Sequence, residues 1–216
     1  FLMFLEAKFG RDRFDSFILD YFNGHAFESL GTANFVIYLK KHLTHKYPNI
    51  VSDKEINEWI YEQGLPSYAP KPTSSAFTTI DGLINRLNLD EITLSKLPTE
   101  AWTLHQWLHF INNLPVTLST ERMSALDEAF NLTASTNAEI AHAWYLLALR
   151  TGYDAVYPAM SKYLISIGRR KLIVPLYKAL AETPAGKAWA LDVYAKARPG
   201  YHGLAQGTID SVLKGK

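Results

Sequence analysis

The chain has 216 residues, 48% hydrophobic and 20% charged, the balance of an ordinary globular protein with interior enough for one large domain or two small ones. Lys plus Arg (22) nearly cancel Asp plus Glu (21), so there is no electrostatic footprint for nucleic acid or an anionic membrane, and neither is expected as a partner. Cysteine is absent, which excludes disulfides, thiolate nucleophiles and cysteine metal sites, and no apolar run approaches the roughly 18 residues of a bilayer span.

"FLMFLEAKFG" opens on Phe1, already apolar at helical spacing (Leu2, Leu5, Phe9), with no capping residue before it and no signal-peptide pattern. A helix that begins in mid-stride predicts a piece of a longer chain. "RDRFDSFILDYF" spaces Phe14, Phe17, Ile18 and Tyr21 along one helix face, and "GTANFVIYLKKHL" does the same after Thr32 as N-cap. "SDKEINEWIYEQG" carries a capping box, Ser52 with Glu55, and is expected to end at Gly64. Pro66, Pro70 and Pro72 then forbid a helix, and a domain boundary is expected there.

Beyond it, helices are predicted at short intervals: over 75–89, then after a second box formed by Thr103 and Gln106 and stopped by Pro115. One more follows Ser119, and the next pairs Thr136 with Glu139 and closes on Gly152. Residues 154–167 end at Gly168, a helix runs from there to about 182, Pro184 stands at N1 of its successor, and a last helix lies near 203–214. Strand-like alternation is almost absent. Successive helices on short loops predict an all-α chain of stacked helical hairpins, a solenoid-like layer.

Candidate chemistry is sparse. His105 and His109 in "HQWLH" have the i, i+4 spacing of the zinc motif H-E-x-x-H, but Gln106 stands where that motif needs a base and no third ligand follows, so we expect helix-surface histidines. The same holds for His42 and His45. Trp59, Trp107, Trp144 and Trp189 fall at core spacing rather than on a stacking surface. Arg169, Arg170 and Lys171 crowd a predicted helix N-terminus, where each cation costs roughly 0.3–1 kcal/mol. They are either a solvated cluster or an anion site, in which helix N–H groups and cations face one negative group.

Longer stretches carry a resemblance. "FLMFLEAKFGRDRFDSFILDYFNGHAFESLGTANFVIYL" resembles the segment after the active site of zinc aminopeptidases of the gluzincin class, peptidase family M-1. "EINEWIYEQGLPSYAPK" resembles the point where that catalytic domain hands over to a C-terminal domain, and "LHQWL", "NAEIAHAW" and "GRRKLIVPLYKAL" resemble the leukotriene A(4) hydrolase/aminopeptidase branch. The resemblance implies that residues 1–64 end a thermolysin-like catalytic domain, that 65–74 form a Pro-rich linker, and that 75–216 are a helical C-terminal domain of armadillo/HEAT-like solenoid type.

It also implies a zinc metalloaminopeptidase parent, active on short peptides. The zinc site, the loop that holds the substrate's amino group and the oxyanion tyrosine would all lie upstream, so no catalytic or metal-binding residue is expected here and this stretch should be inactive alone. Its partners are then a peptide substrate and the missing N-terminal and catalytic domains of the same parent. The cytoplasm is the expected compartment, with periplasmic or secreted placement left open by the missing N-terminus. Within the Gly168-Arg169-Arg170-Lys171 segment, the resemblance assigns substrate-carboxylate binding to Arg169 and Lys171, with Arg170 at a variable position. The competing reading is a stand-alone α-solenoid interaction module.

Overall fold

Twelve α-helices, and no strand, occupy the described residues, 1–214 of this computed structural model. The last two residues of the expected 75–216 domain lie outside them. The chain divides into two units, Phe1–Thr73 and Ser74–Lys216. Among the described residues, no helix is long and apolar enough to cross a membrane.

The first unit holds α1 (Leu2–Phe9), α2 (Arg11–Gly24), α3 (Thr32–Leu39) and α4 (Asp53–Tyr61) around Phe4, Leu5, Phe9, Phe17, Leu39, Leu43 and Ile56. The Ser52–Glu55 capping box forms as expected, each side chain bonded to the other's backbone N–H (3.2 and 2.8 Å). Three local expectations need correcting. Leu2 is half exposed rather than inside. The N-cap of α3 is Gly31, with Thr32 already helical and no side-chain cap. Helix α4 stops at Tyr61, three residues before Gly64, which takes a left-handed φ of 83° beyond the end. A π-helical turn, Lys40–Thr44, continues α3 and leaves the buried Thr44 hydroxyl without a partner. Leu19, Phe22, Phe27, Ile37, Tyr61 and Leu65 stand exposed on this unit.

In the second unit, α5 (Ser75–Asn88) packs on α6 (Leu104–Asn113), and α6, α8 (Ala138–Thr151), α10 (Arg170–Leu180) and α12 (Gly203–Lys214) pack each on the next. Between them α9 (Tyr157–Ser166) packs on α11 (Pro184–Ala197), so alternate helices form rows, the solenoid arrangement predicted from short loops. Helix α7 (Thr120–Phe130) completes the set, capped by Ser119. Thr103 and Gln106 form their box, and Thr183 caps α11 with Pro184 at N1. Two 3-10 turns over 94–96 and 99–101, which periodicity could not register, bridge α5 and α6.

A polar knot fixes the turn between α7 and α8. The Asp127 carboxylate accepts from the Thr133 backbone N–H (2.7 Å), the Thr133 hydroxyl (2.5 Å) and the Tyr153 hydroxyl (3.1 Å). Thr133 in turn accepts from the Trp144 indole N–H (2.9 Å) at its hydroxyl and from the Tyr145 hydroxyl (2.8 Å) at its carbonyl. Backbone groups covered by packing need such partners, and for the half-buried Thr133 an aspartate and the core aromatics supply them.

At the far end, Asp210 accepts from Arg198 (2.9 and 3.2 Å) and from the Tyr194 hydroxyl (2.7 Å), and these bonds lower its carboxyl from 3.8 to about 2. The folded value lies below the unfolded one. The contribution to stability is therefore complete above pH 3.8 and is lost as pH falls through about 2. Asp210→Asn is expected to melt slightly lower than the parent near neutrality and together with it once the pH drops below 2. Thermal melts at both pH values check this; the gap should be small because the pair is exposed.

Candidate functional site

The cations quoted in the sequence sit where α9 gives way to α10. Arg169 is the N-cap of α10, Arg170 its first residue and Lys171 its second, so the helix starts two residues later than Gly168. No side chain caps this end and no acidic residue stands in its first turn. Pro175 lies inside α10 without breaking it; lacking an N–H, it cannot bond the Lys171 carbonyl four residues back.

The loop before α10 is anchored from two sides. Tyr201 donates its hydroxyl to the Leu164 carbonyl in α9 and stands within 3.3 Å of the Tyr177 hydroxyl of α10. Tyr163 in α9 donates to the Ala138 carbonyl at the start of α8 (2.9 Å). Burial raises both the Tyr163 and the Tyr201 hydroxyl, so both are fixed as neutral donors. Helix α8 itself packs on α10.

That juxtaposition brings in a residue that sequence reasoning had used otherwise. Glu139 was expected to close a capping box with Thr136. Instead Asn137 caps α8, its side-chain oxygen accepting from the Glu139 and Ile140 N–H groups (3.0 and 3.3 Å). One residue's shift frees the Glu139 carboxylate, which accepts from the Lys171 ammonium at both oxygens (2.9 and 3.1 Å) and stands 3.5 Å from the Arg169 guanidinium. The Lys171 bond, with the two nearby positive charges, holds the Glu139 carboxyl below its ordinary value. Glu139 is mostly covered (22% exposed), whereas Arg169 and Lys171 are 66% and 63% exposed. A carboxylate of the chain itself thus already lies on Arg169 and Lys171. Arg170 has no ion pair among the described residues and, with Lys171, Val174 and Pro175, lines a shallow depression of about 310 Å³.

His142, one turn further along α8, was not singled out from sequence, although i, i+3 spacing from Glu139 puts it on the same helix face. Burial pushes its pKa down, a Leu172 backbone bond and Glu139 oppose that, and its Nδ1 has no partner. Chemically, the arrangement offers a planar guanidinium, an ammonium and a helix N-terminus to an oxyanion, tempered by one resident carboxylate.

The histidine pair is accounted for differently. His109 Nε2 lies 2.6 Å from an Asp81 carboxylate oxygen, and its ring stacks on Phe77 at 4.3 Å. His105 is exposed on the same helix. In the first unit, His42 stacks on Tyr38 at 4.0 Å. Of the four tryptophans assigned to core packing, Trp144 is fully buried, and Trp59, Trp107 and Trp189 are partly buried against the two cores.

Comparison with known proteins bears on this geometry. Residues 102–213, which include every member of the cluster, match the family described as "Leukotriene A4 hydrolase, C-terminal". Leucine aminopeptidase 2 of Aspergillus fumigatus is 29% identical over 100% of this chain and 36% of its own length, and that of Neurospora crassa is 28% identical over 99% and 32%. The chain thus spans about a third of the curated relatives it matches. Among solved structures, yeast leukotriene A4 hydrolase in complex with bestatin superposes with a TM-score of 0.79 at 21% identity, covering 99% of this chain and 38% of that one. The native enzyme from Saccharomyces cerevisiae gives 0.73 at 20% identity, covering 99% and 37%. At that identity the likeness speaks for the fold. The family match spans more than half of the chain and includes α8 and α10 with their ion cluster, and on that ground the chain belongs to the leukotriene A4 hydrolase C-terminal family.

Proposed function

We propose that this chain is the C-terminal part of a zinc aminopeptidase that removes N-terminal residues from short peptides, and that Arg169 and Lys171 bind the carboxylate at the peptide's far end. The observation that carries the reading is the pair of well-exposed cations on α10, inside the matched family region. Arg supplies two parallel donors to a carboxylate, Lys a point charge, and the helix end a favourable dipole. A carboxylate held there fixes the length and register of a peptide whose other end lies at the reacting bond.

In this reading residues 1–64 end a thermolysin-like catalytic domain, 65–74 link it to the helical domain, and that domain closes the cleft. On the same reading the exposed Leu19, Phe22, Phe27 and Ile37 are side chains that a neighbouring domain would cover. Zinc is assigned to the parent's upstream residues. The spaced histidines do not fit it: His109 is bonded to Asp81 and stacked on Phe77, and His42 is stacked on Tyr38. A stand-alone interaction module gains nothing from relatives of which the chain spans 36%.

The test is metal removal. A full-length protein carrying this sequence should lose tripeptide cleavage on chelation and regain it with zinc, while the 216-residue chain plus zinc stays inactive. Zinc-dependent cleavage of an amino-acid anilide by the homogeneous chain, or full-length activity that survives chelation, contradicts the proposal.

A further inference from the structure

Glu139 is unexplained by carboxylate binding alone, since a like charge beside the cations opposes the ligand they are meant to attract. Its contacts are unequal. Both carboxylate oxygens take Lys171, at 2.9 and 3.1 Å, whereas Arg169 is 3.5 Å away, outside good hydrogen-bond range. Lys171 is thus held and Arg169 is left with donors to spare. Asn137 and Tyr163 fix the first turn of α8, so Glu139 cannot simply swing off with its helix when a ligand arrives. His142, the nearest further titratable group on α8, is kept toward its neutral form by burial and leaves the count unchanged.

Within the Arg169–Lys171–Glu139 trio, two cations and one anion leave a single net positive charge; Arg170 stands outside it and makes no ion pair among the described residues. We propose that Glu139 is a specificity-determining residue: it reduces the Arg169–Lys171 pair to one unit of charge, matched to a peptide ending in a single carboxylate and mismatched to a dianionic end. This rests on the carboxylate-binding role proposed above. Without Glu139 the same cations would present two charges and would favour a C-terminal aspartate, whose side chain adds a second carboxylate. With it, the extra carboxylate meets a resident like charge. Specificity built by repulsion of the wrong ligand is a general device, and a like charge set beside the binding group is its simplest form.

The experiment uses the full-length zinc enzyme and three probes: a tripeptide ending in glycine, one ending in aspartate, and the C-terminal amide of the first. Glu139→Gln keeps the shape and removes the charge. It is expected to lower KM for the glycine-ended peptide by about 2- to 5-fold, the scale of a half-exposed charge pair, and to lower KM for the aspartate-ended peptide more, the change falling in KM rather than kcat. Glu139→Asp keeps the charge and should keep the parent's preference. A KM that rises or stays put on both free peptides in Glu139→Gln, while Arg169→Ala remains crippled, overturns this inference and leaves the carboxylate site standing. The same holds if Glu139→Asp behaves like Glu139→Gln, because shape rather than charge would then be responsible. If Arg169→Ala is also without effect, the carboxylate site itself falls.

Discussion

Arg169→Ala, in a full-length enzyme carrying this sequence, is expected to lose most activity on tripeptides: about 10- to 150-fold in kcat/KM, the equivalent of a charge-assisted contact. The side chain is 66% exposed and makes only a 3.5 Å approach to Glu139, so its removal costs the fold little and the ligand much. Lys171→Ala should differ in kind. Lys171 is bonded to Glu139 through both oxygens, and deleting it leaves that carboxylate facing Arg169 alone. Binding should weaken more than turnover, because a point charge attracts without orienting. Arg170→Ala, with no ion pair among the described residues, should stay near the parent and serves as the internal control. Separate kcat and KM values for the three variants on one tripeptide check all of this. Equal losses for Arg169→Ala and Arg170→Ala would reduce the cluster to solvated surface charge.

The largest effect on stability is expected at Trp144. Its side chain is fully buried, meets the Tyr153 ring edge-on at 5.9 Å and donates its indole N–H to Thr133. Trp144→Ala should destabilise the second unit by about 3–5 kcal/mol, from lost burial and the cavity left behind. Thr133 also carries the bonds to Asp127 and Tyr145, so the damage should spread into the turn before α8. Urea unfolding followed by tryptophan fluorescence and far-ultraviolet dichroism measures it. A midpoint that hardly moves would mean that the knot, and not the indole's burial, holds this region.

Much of this was legible in the residues. The boxes at Ser52 and Thr103 appear as written, because a hydroxyl three residues before Glu or Gln is a local pattern that needs no tertiary context. Ser119, Pro184 and Gly152 likewise stand at the ends they were assigned. The failures share a cause. Thr32 and Thr136 were good caps by type, but a neighbour won each time: Gly31 by starting the helix one residue early, Asn137 by reaching two N–H groups at once. Leu2 follows the helical period of α1 yet is half exposed, since period says which residues share a face but not what covers it. The π-helical turn at Lys40–Thr44 has no sequence signature at all. At the site, composition and spacing pointed to Arg169 and Lys171, whereas Glu139 lies 32 residues before Lys171 and was spent on a cap. Only the packing of α8 on α10 brings the three together.

The central claim is that the α10 cations read a substrate's terminal carboxylate, and the most direct test changes the substrate and not the protein. The full-length zinc enzyme should cleave a free tripeptide with kcat/KM about 10-fold or more above that of the same tripeptide amidated at its C-terminus, as the loss of one charge-assisted contact requires. The Arg169→Ala variant should bring the two substrates nearly level. Equal kcat/KM for free and amidated peptide in the unaltered enzyme would contradict the account.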